Sequence, residues 1–298
     1  MIKSIIIFLF AGIWAVGFPL LDIVQGQPEQ NKHIRVITFN IRYDTPDDGK
    51  NAWPGRQKLV TEILHQQNPD LFGIQEALQH QVTQIAEDLP DYSWVGAGRD
   101  DGQSAGEFAA VFYRKSRFEL GEKNHFWLSE TPHKPGSHGW DAACVRIVTW
   151  AVFTDQQTGR QLFLFNTHFD HIGQIARKES VRLLKQMVGN IAQSNAVVIT
   201  GDFNFTPASG LYQQLTDPDT TAGVALLDTR TVALNESEGP EWSFHGFGKA
   251  SERPLLDYIF VNKHFGVDRH IILQSIAEDP YPSDHLPVIA DLFWNKAE

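Results

Sequence analysis

The stretch AVVITGDFN, Ala196 to Asn204, decides how the rest of the chain is read. Its first six residues form a short apolar, β-branched run of the kind that makes a strand buried on both faces. Directly behind the run come Asp202 and Asn204. A polar residue at a strand end is ambiguous alone, because turns also favour Asn and Asp. The same pattern recurs on both sides, however: RVITFN closes on Asn40, LFGIQE on Glu76, and FNTHFDH carries His168 at the end of another apolar run. Asp257 sits inside LDYIF, and Asp284 with His285 opens a last strand in SDHLPV. If these ends converge, four carboxylates, two imidazoles and two amides share one cleft. Carboxylates so placed repel one another unless a divalent cation neutralises them. Hard oxygen donors without thiolates favour magnesium or manganese over zinc.

Working outward, strands are expected at Ile34 to Phe39, Leu71 to Gln75, Phe108 to Tyr113, Val145 to Phe153, Leu162 to Thr167, Ala196 to Gly201, Leu256 to Val261, His270 to Ile276 and Leu286 to Phe293. Helices are expected at Arg56 to Gln66, with Leu59, Val60, Ile63 and Leu64 on one face, and at Gln174 to Gln193, with Val181, Leu184, Val188 and Ile191. Many strands with helices interspersed, but no strict alternation, predict an α/β protein of mixed sheets packed together and covered by helices. No repeat, low-complexity stretch or linker marks a second domain.

The chain has 298 residues, 36 acidic and 25 basic, for a net charge of −11. That balance opposes loose attachment to polyphosphate or anionic lipid. One cysteine, Cys144, excludes an internal disulfide and a thiolate zinc cluster. At the N-terminus Lys3 precedes an apolar run from Ile5 to Leu21, then polar residues from Gln25 to Lys32. Residues 1–27 read as an export signal or an uncleaved anchor, and 28–298 as one domain working in the periplasm or outside the cell.

The ordered set FN (Phe39, Asn40), QE (Gln75, Glu76), TH (Thr167, His168), GDFN (Gly201 to Asn204), LDYIF (Leu256 to Phe260) and SDHLPV (Ser283 to Val288) resembles the endonuclease/exonuclease/phosphatase superfamily. The resemblance spans about Ile34 to Phe293. It implies a deoxyribonuclease-I-like, four-layer sandwich: two mixed β-sheets face to face, flanked by helices. It also implies a metal-dependent phosphoric ester hydrolase using Mg2+ or Mn2+, with Glu76 as the principal metal ligand, Asn40 helping to set the site and Asp284 close by. Asp202 and Asn204 would orient or deprotonate the attacking water. His285, backed by Asp257, would bind the phosphoryl group, with His168 as a second imidazole or general acid; which of Asp202 and His285 is the base stays open. Each has a blander reading: Asn40 as a turn cap, Asp257 as a buried acceptor, His285 as a solvated loop residue. His171, beyond His168, is evenly balanced between the cleft and solvent.

A phosphate ester also needs countercharge beyond one metal ion. Arg42, Arg56, Arg146 and Arg177 are the candidates for a guanidinium clamp, Arg42 and Arg146 foremost, since Arg56 and Arg177 fall on expected helices and serve equally as ion-pair partners. NIRYDT, NAWPGR, VRIVTW and THFDHIG resemble an exported bacterial branch of the superfamily with poorly defined substrates. An acidic chain without basic runs favours small phosphorylated sugars, inositol phosphates or nucleotides, acted on by a monomer. The alternatives are a secreted nuclease, a sphingomyelinase-like phosphodiesterase, and, less favoured, a non-catalytic binding protein on the same fold. A zinc hydrolase built on His168, Asp170 and His171 lacks an HExxH helix or an open three-histidine set.

Overall fold

The computed structural model describes residues 33–218, 224–274 and 279–296. The expected export segment lies outside the described residues, as do Ser275 and Ile276 of the penultimate expected strand. The chain runs β1 (Ile34–Asn40), α1 (Trp53–Gln67), β2 (Leu71–Ala77), α2 (Gln79–Asp88), β3 (Tyr92–Val95), β4 (Phe108–Arg114), β5 (Phe118–Trp127), β6 (Ile147–Asp155), β7 (Gln161–His168), α3 (Gln174–Ala192), β8 (Ala196–Asp202), α4 (Gly210–Thr216), β9 (Leu227–Asp228), α5 (Thr229–Val232), β10 (Asp257–Val261), β11 (Phe265–Ile272) and β12 (Val288–Trp294).

Two mixed sheets of six strands result, in the orders β11-β12-β1-β2-β4-β3 and β5-β6-β7-β8-β10-β9. Each contains one parallel pair, β1 with β2 and β7 with β8. A parallel pair needs a crossover, and α1 and α3 supply it. The sheets pack face to face: Val36, Leu71 and Val111 of the first share a core with Leu164 and Val198 of the second. The alternate residues of the first sheet, Ile37, Phe72 and Ile74, bury against Val60 and Leu64 of α1 and Val82 and Ile85 of α2. Burial on both faces explains the unbroken apolar runs of these strands. On the other side Val181, Leu184 and Val188 of α3 cover the second sheet.

A polar tie crosses the otherwise apolar interior. Asn166 of β7 donates its amide to the carbonyls of Ile74 and Ala110, at 2.9 Å each, and its Oδ1 accepts from Gln75 Nε2 at 2.7 Å and Thr200 Oγ1 at 3.0 Å. Facing it is Gly73, where a Cβ would fall against Thr200 Oγ1 and 2.5 Å from Asn166 Oδ1. A side chain there would hold the sheets apart.

The elements that composition did not mark have physical reasons for their silence. β5 (FELGEKNHFW) is an edge strand whose middle residues face water, so it lacks an apolar run. β3 has four residues, β9 two, and α2 carries only Val82 and Ile85 as large buried apolar side chains.

Candidate active site

The C-terminal ends of both parallel pairs lie at one edge of the sandwich, where open α/β sheets place their ligands. Cα register aligns His168 with Asp202 across β7 and β8, and Asp202 with Asp257 across β8 and β10. Glu76 is aimed by backbone distortion: the β2–β4 register shifts between Ile74 and Ala77, and Glu76 has φ 65°. A bulge re-aims a side chain, and left-handed backbone at a bulky residue marks a constrained site. Asn204 (φ 50°) and Arg42 (φ 58°) share that conformation at the strand exits.

A cleft of about 630 Å³ opens there, lined by Glu76, His168, Asp202, Asn204, Asp284 and His285, by Arg42, Arg146 and His171, and by Tyr43, Glu107, Cys144, Phe244, Glu252, Pro254 and Leu256. Asn40 lies beneath it, fully buried, and donates its amide to Glu76 Oε1 and Asp202 Oδ2, both at 2.9 Å. Its own oxygen accepts the Arg42 N–H at 3.0 Å. Asn40 therefore ties the two carboxylates together through nitrogen.

Asp202 is the hub. Oδ1 accepts the Asn204 N–H at 3.0 Å, and Oδ2 lies 3.5 Å from His168 Nε2 and 3.7 Å from His285 Nε2. Burial and the charge of Asp257 push its carboxyl up to about 7. His285 Nδ1 contacts Asp257 Oδ2 at 2.8 Å, and the same oxygen accepts Ser243 Oγ at 2.6 Å. Burial alone would lower the His285 pKa, but Asp257 and Asp202 outweigh it and hold it well above the ordinary imidazole range. His168 goes the opposite way, driven well below that range by burial and by Arg146 and Arg99. Asn204 Nδ2 donates to the Phe169 carbonyl at 3.0 Å, which fixes the amide, and lies 3.1 Å from His168 Nε2. That nitrogen is thus an acceptor and the His168 proton sits on Nδ1. Two imidazoles whose pKa values are driven in opposite directions flank one carboxylate.

Glu76 is held below the usual carboxylate range: burial would raise it, but the Asn40 amide, His285 and Arg42 prevail. Asp284 is raised by burial, with the charge of Glu76 adding to the rise. Glu107, which the sequence reading missed, faces His168 Nδ1 at 4.0 Å and accepts from Arg99 at 2.5 Å. Burial pushes it up to about 7 against the pull of Arg99. The available signal was an acid at the start of the run EFAAVFYR.

The arginines separate. Arg146 is 4% exposed, lines the cleft and contacts His171 Nδ1 at 3.0 Å, leaving Nε and Nη1 without a hydrogen-bond partner. Arg42 lines the cleft but forms a two-pronged pair with Asp48, at 3.0 and 3.1 Å. Arg56 is fully buried among the carbonyls of Asn51, Ile41, Pro282, Arg42 and Tyr43. Arg177 donates to the Asp170 carbonyl at 2.9 Å and does not line the cleft. Asp170 is the clasp of the Arg146 side: buried, it accepts the N–H groups of Ala143, Cys144, Ile172 and Gly173 and lies 3.5 Å from Arg146 Nε.

The sequence pattern of the endonuclease/exonuclease/phosphatase family matches residues 37–285, which contain every cleft residue named above. The chain belongs to this family. Solved members of the family share its fold closely. An endonuclease/exonuclease/phosphatase protein of Bacteroides vulgatus is 39% identical, with a TM-score of 0.83 over 88% of this chain and 99% of that one. A mannosyl-6-phosphatase of Bacteroides thetaiotaomicron is 32% identical, with a TM-score of 0.80 over 88% and 100%. The human Nocturnin catalytic domain, at 21% identity and TM-score 0.69 over 89% and 94%, shares the fold. Members of the family are hydrolases of phosphate esters, so the cleft belongs to a phosphoesterase or nuclease-like scaffold.

Proposed function

We propose that the protein is a divalent-metal-dependent phosphoesterase that hydrolyses small phosphate esters, phosphorylated sugars foremost, and that it works outside the cytoplasm. The observation that carries the reading is Asp202 Oδ2 held 3.5 Å from His168 Nε2 and 3.7 Å from His285 Nε2 at the shared strand ends. The donors also fit a hard cation: Glu76 and Asp284 turn two carboxylates toward the cleft, while Arg42 beside them pairs closely with Asp48 and only at 3.8 Å with Glu76. These two would hold magnesium or manganese, with Asn40 orienting Glu76. Bound there, the cation supplies positive charge that stabilises oxygen in the transition state.

The chain's own groups do the rest. Asp202, ionised in the upper part of its titration, orients and deprotonates water, with Asn204 fixing its carboxylate through the backbone N–H. The His285 imidazolium donates from Nε2 toward a phosphoryl oxygen, and Asp257 keeps it charged and oriented, the part a buried acid plays behind any catalytic histidine. Arg146, which lines the cleft, supplies positive charge for the phosphate. For the rest of the substrate the cleft offers Phe244, Pro254 and Leu256 with one carboxylate, Glu252. Apolar surface beside an acceptor suits the C–H face and hydroxyls of a neutral sugar. The net charge of −11 lacks the basic track on which a polymer gains affinity, and likeness to a mannosyl-6-phosphatase supports the same choice.

The test is a panel of sugar phosphates, nucleotides, phosphodiesters, duplex DNA and RNA, assayed with metal-free protein resupplied with magnesium, manganese or zinc. Turnover of a small ester with the first two is expected, lowered at least ~10²-fold by Glu76→Gln. Turnover surviving exhaustive chelation would sink the metal assignment; a polymer cleaved orders of magnitude faster than every small ester would sink the substrate class. Fractionation of cells making the full chain tests export.

A further inference from the structure

Arg146 is an almost wholly buried cation in the cleft wall, and the side chain that fixes it stands in the open. Among the described residues the one hydrogen bond of its guanidinium runs from Nη2 to His171 Nδ1 at 3.0 Å. His171 itself is exposed, on the turn between β7 and α3. Asp170 lies 3.5 Å from Arg146 Nε, but its Oδ2 already accepts the N–H groups of Ala143 and Cys144, and its Oδ1 those of Ile172 and Gly173. Asp170 therefore supplies countercharge with little direction left to give. A hydrogen bond constrains angle as well as distance, so the bond to His171 is what sets the plane of the guanidinium.

That bond dictates the state of the imidazole. Arginine has donors only and keeps its proton, so Nδ1 must accept, the ring is neutral and its proton sits on Nε2. A protonated ring would set N–H against N–H and charge against charge. The surroundings favour the neutral form: burial, Arg146 and Arg99 lower the His171 pKa, Asp170 and Glu76 raise it, and the outcome lies below the ordinary imidazole range. Cys144 on the segment before Arg146 also faces the ring, and the charge of His171 reaches His168.

We propose that His171 is a positioning residue: accepting at Nδ1, it holds Arg146 in the cleft wall for the phosphate and so sets substrate affinity through the guanidinium. The role in affinity rests on the phosphoesterase reading given above, whereas the pairing of the two side chains does not. Affinity should consequently fall as the ring gains a proton and lets the guanidinium go.

Two measurements test this. In metal-free, full-length protein, long-range proton–nitrogen NMR should show His171 Nδ1 unprotonated at pH 7, and Arg146→Ala should raise the His171 pKa by removing the facing charge. If Arg146→Ala leaves that titration unmoved, the pairing is refuted whatever the protein hydrolyses. The second is kinetic, on the small ester turned over best. His171→Ala should raise KM about tenfold, the loss of one charge-assisted hydrogen bond, and raise it at least fivefold more than it lowers kcat. His171→Asn puts Oδ1 where Nδ1 stood and should recover most of that affinity at neutral pH. Because Asn does not titrate, its KM should also rise less than that of the wild type toward acid pH, a ratio from which the ester's own ionisation cancels. Adding His171→Ala to Arg146→Ala should change KM less than about twofold, since the residue acts through its partner. A wild-type KM in His171→Ala, an Asn variant no better than the Ala one, or full additivity with Arg146→Ala would overturn the proposal. Absence of turnover on every ester would sink the function proposed above, and the NMR titration would still decide the pairing.

Discussion

Replacing Asp170 by Asn tests whether one buried carboxylate holds the Arg146 side of the cleft together. Asp170 accepts four backbone N–H groups, two from the segment before Arg146 and two from the turn that carries His171 into α3. Burial works to raise its pKa, yet these N–H groups and Arg146 bring it down from the ordinary carboxylate range to about 2. A depressed carboxyl contributes stability above its unfolded pKa, and that stability is lost as pH falls through the folded value. That depression corresponds to about 2 kcal/mol of stability at neutral pH. By the same linkage about half of it is gone at pH 3. Asn removes the charge and offers one oxygen where two served. Urea unfolding at pH 7 should therefore show Asp170→Asn less stable by about 2 to 3 kcal/mol, with the gap to wild type narrowing by about 1 kcal/mol at pH 3. A gap of the same size at both pH values, or one below ~0.5 kcal/mol at pH 7, would refute the assignment of this stability to the ionised clasp.

Asp257→Asn should lower phosphoester turnover by at least ~10²-fold, and, because Asp257 holds the His285 imidazolium above its usual pKa, the alkaline loss of activity should move to lower pH; a pH–rate profile with an unmoved alkaline limb would contradict it. Gly73→Ala should cost roughly 1 to 3 kcal/mol by forcing a methyl group against Asn166 and Thr200, and an unchanged urea midpoint would show that the sheets can yield there.

What could be read in the sequence was what burial on both faces writes into it. The runs ending in Asn40, Glu76, His168 and Asp202 are central strands with no water-facing side, so their ends were legible and their polar terminal residues stood out. α1 begins at Trp53, three residues before the expected start: Ala52 caps it, Pro54 sits in its first turn, and Trp53 extends the buried face of Val60 and Leu64. Glu107 was missed since it follows the polar loop Asp100 to Gly106 and nothing local says that β4 starts beside His168. Arg42 and Arg146 stood ahead of Arg56 and Arg177 in the chain, and both line the cleft; that carbonyls close around Arg56 and Asp48 engages Arg42 was not legible, because those partners lie far away in sequence or in loops. Cys144, read only as an argument against a disulfide and thiolate zinc, lines the cleft.

The Asn166 tie sits one or two residues from the cleft on three of the strands it touches: Gln75 precedes Glu76, Asn166 precedes His168 by two, and Thr200 precedes Asp202 by two. The positions of catalytic groups from both sheets are thus measured from one common anchor inside the scaffold. The loops that follow, which carry Arg42, His171, Phe244 and Glu252, begin beyond that anchor. Length and composition can change in those loops without disturbing the spacing of Glu76, His168 and Asp202. A transplant of the Phe244 to Leu256 segment from a relative would then exchange substrate preference while the hydrolytic centre stays in place.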